Sequence, residues 1–67
     1  MKTNDTQLLD RLTVSEAAGY LRLSRVRLDK WRSERKGPVF LKVGGRVFYR
    51  RSDLDEFLSL CVVKTSA

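Results

Sequence analysis

Between Leu12 and Leu58 the chain passes, with almost no spare residues, through two helix-start signals, a basic segment, a Gly44-Gly45 turn and a third helix start. Thr13-Val14-Ser15-Glu16 has the form of a capping box, in which the hydroxyl accepts from the third helical amide and the glutamate reaches back to the cap's own amide. Leu12 and Ala17 sit where a hydrophobic staple would place them. Val14, Ala17, Ala18 and Leu21 share one helical face, which predicts a helix from Val14 to about Arg22. Leu23 breaks that pattern and Ser24 can cap a second helix, so only a short turn separates two crossing helices.

In the second helix Leu28, Trp31 and the aliphatic stem of Arg35 form a narrow inward stripe, while Arg25, Val26, Asp29, Lys30 and Arg32 fall outside it. So little apolar surface leaves an exposed face in need of a partner. Trp31 reads as the anchor of the core. Ala17, Ala18 and Gly19 would allow close helix approach, although Gly19 is equally a tolerated surface residue. Gly37-Pro38 ends the helical region. Val39 to Val43 and Val47 to Arg50 then flank Gly44-Gly45 as a β-hairpin. A two-residue loop would pair Val43 with Arg46. A three-residue loop would pair Val43 with Val47 and Leu41 with Tyr49, and it is preferred because it puts Leu41, Val43, Val47 and Tyr49 on one face, with Lys42, Phe48 and Arg50 on the other. Ser52 is expected to cap a third helix whose acids suit its positive end and whose Leu54, Phe57, Leu58 and Cys61 face the core.

A chain of 67 residues holds one small core, with little room for an enzymatic cleft. Residues 1–7 are expected to form a loose arm, with Leu8 and Leu9 packing back, residues 8–62 the domain, and residues 63–67 a frayed tail. With no histidine and Cys61 as the only cysteine, a Cys/His metal site and a disulfide framework are excluded within one chain. Cys61 is expected to be a small core residue. No apolar run is long enough to span a bilayer and no secretion signal opens the chain, so a cytoplasmic location is expected. From Arg22 to Arg51 eleven Lys and Arg face two acids, a balance of +9, whereas the remainder carries −3. Such segregation points to a polyanionic partner met by the middle of the chain.

The run Leu12-Thr13-Val14-Ser15-Glu16-Ala17-Ala18-Gly19-Tyr20-Leu21, then Leu23-Ser24 and Leu28-Asp29-Lys30-Trp31-Arg32, resembles the excisionase-type helix-turn-helix family, which includes AlpA-like regulators and is related to the winged helix of MerR-type proteins. Gly37 to Leu58 resembles it further. The resemblance implies a small, mainly α fold with a β-hairpin, a winged helix-turn-helix whose second helix enters the major groove of double-stranded DNA. It also implies the work of a phage or mobile element: a recombination directionality factor that bends attachment-site DNA beside a partner integrase, or a transcriptional repressor or activator.

On that placement Arg25, Val26, Arg27 and Lys30 lie nearest base edges and are the candidates for sequence reading. Ser24, Arg32, Lys36, Lys42, Arg50 and Arg51 are candidates for phosphate contacts. Gly44, Gly45 and Arg46 form the wing tip, with Arg46 suited to a narrow minor groove. No catalytic constellation, cofactor motif or metal-ligand spacing is present, so an enzyme is not expected. Because one small module buries limited surface on DNA, side-by-side copies or a partner protein are expected to assist binding. Two other classes remain open: a single-stranded RNA binder stacking bases on Phe40 and Phe48, and a basic adaptor for an acidic protein.

Overall fold

A computed structural model describes residues 10–64. The expected arm, the packing of Leu8 and Leu9 and the last residues of the expected tail lie outside the described residues. The elements are β1 (Arg11–Thr13), α1 (Val14–Leu21), α2 (Arg25–Ser33), β2 (Leu41–Val43), β3 (Arg46–Arg50) and α3 (Arg51–Leu60).

The capping box forms as its residues dictate. The Glu16 amide donates to Thr13 Oγ1 at 3.1 Å, and the Thr13 amide donates to Glu16 Oε1 at 2.9 Å. At the other end Arg22 takes a left-handed conformation, φ 59°, and the Leu23 amide reaches back to the Ala18 carbonyl at 2.9 Å. This satisfies a carbonyl the helix end would otherwise orphan. Ser24 Oγ accepts from the Arg27 amide at 3.1 Å and starts α2. Both helix starts therefore follow the sequence reading.

Three features depart from it. First, β1 was not anticipated: it pairs antiparallel with β3, Leu12 opposite Tyr49, giving a three-stranded sheet in the order β1-β3-β2. Second, the hairpin uses the two-residue loop, with Val43 opposite Arg46, Lys42 opposite Val47 and Leu41 opposite Phe48. Gly44 and Gly45 both have positive φ, 56° and 83°, the requirement of a tight turn whose twist matches its strands. Leu41 and Val43 consequently share a face with Arg46, Phe48 and Arg50, and only Val47 and Tyr49 of β3 face the core. Third, α3 starts at Arg51, straight out of β3, with Arg50 at the cap position and no side-chain cap. The Arg51 amide instead donates to the Asp10 carbonyl at 2.8 Å. Ser52 lies within the helix, so its expected capping role is replaced by β1's neighbour.

The core consists of Val14, Ala17, Ala18, Leu28, Tyr49 and Leu54, with Leu12, Leu21, Trp31 and Val47 packed around it. Small Ala17 and Ala18 let α1 approach its neighbours. Trp31 stacks at a tilt on Phe57, centroids 5.5 Å apart, holding the end of α2 against α3. The third-helix face is shorter than its periodicity suggests: Leu54 is buried, Leu58 is 41% exposed, and Cys61, just past the helix end, is exposed rather than in the core. The last turn of α3 extends beyond the elements that could cover it. Arg35 also departs from the expected inward stripe, since it lies past α2, exposed and with φ 59°. Arg32 takes that inward place.

A Cβ added at Gly19 would meet nothing within 4 Å. Gly19 is thus a surface residue, not a packing device. Gly19→Ala is expected to raise stability by up to about 1 kcal/mol through helix propensity, seen as a thermal midpoint a few degrees higher.

Candidate nucleic-acid interface

The first turn of α2, the start of α1 and the hairpin tip border one open groove of about 390 Å³, lined among others by Ser15, Arg25, Gly45 and Arg46. Arg25 Nη1 donates to Ser15 Oγ at 3.3 Å, which draws its guanidinium to this side. Helical geometry sorts the rest of α2. Taking Leu28, fully buried, as the inward direction, Val26 and Lys30 point most directly outward, while Arg25 and Arg27 lie on opposite flanks, about 160° apart. Val26 is 74% exposed, an apolar side chain that packing within the domain does not explain.

The cations singled out as DNA contacts divide into two groups. Arg32 Nη2 donates to Asp29 Oδ1 at 2.6 Å and Arg50 Nε to Asp53 Oδ2 at 2.7 Å, with longer ion pairs joining Lys36 to Glu34 (3.7 Å) and Arg51 to Asp10 (3.5 Å). Among the described residues, Arg25, Arg27, Lys30, Lys42 and Arg46 have no carboxylate partner. The base-reading candidates, Lys42 and the wing-tip arginine are therefore free of carboxylates, whereas Arg32, Lys36, Arg50 and Arg51 are internally paired. Ser24 spends its hydroxyl on the cap. Arg46 also lies over the Phe48 ring, 5.5 Å from its centroid.

Arg32 is the most constrained of these side chains. Its Nη1 donates to the hydroxyl of buried Tyr49 at 3.1 Å, and its guanidinium lies 5.9 Å from the Phe40 ring centroid. Partial burial disfavours its charged form, but the hydrogen bonds to Tyr49 and Asp29 outweigh that and raise its proton affinity above the ordinary value. For Arg50, the hydrogen bond to Asp53 acts in the same direction. On the far side, Tyr20 donates to Asp55, tying α1 to α3; this bond raises the tyrosine's pKa, because deprotonation would set two anions in contact.

Sequence reasoning missed Ser15, Asp29 and Arg11 in this region. Arg11 also lies over the Phe48 ring, 5.4 Å from its centroid, a position visible only once β1 is paired with β3. Asp29 carried a usable signal, its three-residue spacing from Arg32. Among the described residues no cluster of His, Cys, Asp and Glu could hold a metal ion, and no helix is long and apolar enough to cross a membrane.

Two crossing helices joined by a three-residue turn, followed by a hairpin that stands beside the second, define a winged helix-turn-helix domain. The chain belongs to the helix-turn-helix domain family, whose sequence profile matches residues 11–59, a family that contains excisionase and AlpA-like proteins. It is a DNA-binding helix-turn-helix protein, of a family generally without enzymatic activity. No curated protein matches the chain.

Proposed function

We propose that the protein binds a specific duplex site of a phage or mobile element and acts there as a recombination directionality factor, bending attachment-site DNA for a partner integrase. The observation that carries the reading is the shared groove: Arg25 at the carboxylate-free start of α2 and Arg46 at the hairpin tip flank one opening, the side-by-side placement that a helix in the major groove and a wing on the adjoining backbone require. Arg25, Val26, Arg27 and Lys30 read bases, Arg25 by two hydrogen bonds to guanine and Val26 against a thymine methyl. Since Arg25 and Arg27 leave the helix on opposite flanks, they meet different base steps or strands. Lys42, with the free amides after Ser24, sets position on phosphates and Arg46 enters the minor groove, whereas Lys36, Arg50 and Arg51, the other phosphate candidates, stay with their carboxylates and Arg32 supports the site from behind. Copies side by side, or the integrase, extend the small contact area.

Footprinting on the DNA flanking the gene, followed by a bending assay on the protected site, tests this. A protected but unbent site overlapping a promoter would favour the transcription-regulator role that family membership also supports. Arg25→Ala is expected to weaken binding by about 1 to 3 kcal/mol and to relax selectivity at one base pair, while Lys42→Ala weakens all sequences alike. Equal losses on specific and random duplexes for both variants would show that α2 does not read sequence.

A further inference from the structure

α2 carries one carboxylate, Asp29, in a stretch otherwise rich in cations, and a chain of hydrogen bonds ties that carboxylate to the core. Asp29 Oδ1 receives Arg32 Nη2 at 2.6 Å, Arg32 Nη1 in turn donates to Tyr49 Oη at 3.1 Å, and Tyr49 is 1% exposed in the core. The chain of contacts runs from the folded interior to a side chain that is still 47% exposed. Asp29 also stands one helical turn after Arg25, about 40° from it around the axis, on the flank from which Arg25 lines the groove.

A carboxylate brought to DNA meets repulsion from phosphates, so a surface used only for electrostatic attachment gains nothing from it. The Arg32 partner offsets that charge and fixes the group in place, leaving Oδ2 as an oriented acceptor. A contact made with precision requires its side chain to be held by others in this way. In the major groove guanine offers acceptors and adenine sets an acceptor beside its amine, whereas the cytosine base presents a lone amino donor that suits a carboxylate.

We infer that Asp29, held by Arg32 and Tyr49, is a specificity-determining residue that accepts a hydrogen bond from the N4 amine of a cytosine in the major groove. The inference rests on α2 lying in that groove, as proposed above. Arg32 is then a positioning residue, acting through Asp29 and not on phosphate. Arg25 takes a guanine near the same cytosine.

The test begins with selection from a random-core duplex library by the wild-type protein and by Asp29→Ala. The wild type is expected to enrich cytosine at one position, and the variant to lose that preference there while keeping the others. In the selected site that cytosine is then replaced by 2-pyrimidinone, which lacks the amine. Wild-type binding should fall roughly 10-fold, the scale of a base contact, and Asp29→Ala binding should not change. The replacement arm with wild-type protein needs no variant to fold. A variant that retains every preference, or a wild type indifferent to amine removal at every selected cytosine, overturns the role of Asp29 while leaving the groove reading intact. A wild type that enriches no sequence overturns both.

Discussion

Gly37→Ala is expected to leave the domain largely unfolded at room temperature. Gly37 has φ +82°, and a Cβ built on it would lie 2.6 Å from Trp31 Cε3 and 3.1 Å from Trp31 Cδ2. The left-handed backbone alone costs a non-glycine residue about 1 to 2 kcal/mol. Forcing an extra carbon into a packed site adds roughly 1 to 3 kcal/mol. The indole cannot yield cheaply, since it stacks on Phe57, and the Trp31 main-chain carbonyl, accepting from the Lys36 amide at 2.8 Å, ties the following loop down beside it. A domain of this size has only about 3 to 5 kcal/mol in hand, so a loss of about 2 to 5 kcal/mol removes most of it. Urea titration followed by far-ultraviolet circular dichroism measures this directly, with Gly19→Ala as the control that moves stability the other way. A Gly37→Ala midpoint close to wild type would mean that the loop after α2 does not fold back on Trp31.

The parts of the architecture differ in how far local sequence encodes them. Caps are local: Thr13 with Glu16, and Ser24, each serve an amide three residues away, so the helix starts are written in adjacent residues. The two-residue turn was also locally encoded, in two consecutive glycines able to take positive φ. The register is not encoded by those glycines alone: a face of Leu41, Val43, Val47 and Tyr49 favours the three-residue loop, but the core does not need Leu41 and Val43 beside Tyr49, and the two-residue loop forms. The apolar partner for Tyr49 comes from Leu12 across β1, a non-local pairing between strands separated by two helices. The same pairing brings Asp10 to the first amide of α3 and makes a Ser52 cap unnecessary.

The candidate interface shows a similar division. The concentration of positive charge, the exposed valine and the helix bearing them were all legible. Which cations retain their charge for an external partner was legible only in part: Asp29, Glu34 and Asp53 lie two or three residues from the cations they hold, a spacing that permits a pair without dictating it, while Asp10 comes near Arg51 only through the pairing of β1 with β3. Arg32 is the clearest case. Its position in a basic run resembles a phosphate contact, yet its donors go to Tyr49 and Asp29.

That sorting leads to a quantitative expectation for DNA binding. If Arg25, Arg27, Lys30, Lys42 and Arg46 are the cations available to DNA, each neutralised phosphate contributes about −0.9 to the slope of log affinity against log salt. The slope should fall between about −2, if only Lys42 and Arg46 neutralise phosphates, and about −4.5, if the base-reading cations also displace counterions, and raising salt from about 50 to 200 mM should weaken binding by roughly 10- to 500-fold. Were all the basic residues between Arg22 and Arg51 engaged, the slope would approach about −10. Variants separate these cases. Lys42→Ala should make the slope shallower by about 1, whereas Arg50→Gln should leave it nearly unchanged, because that guanidinium is already held by Asp53 at 2.7 Å. Fluorescence anisotropy on a labelled duplex across a salt series gives all three values. A slope near zero, or an Arg50→Gln loss equal to that of Lys42→Ala, would show that the internal ion pairs do not decide which charges meet the phosphates.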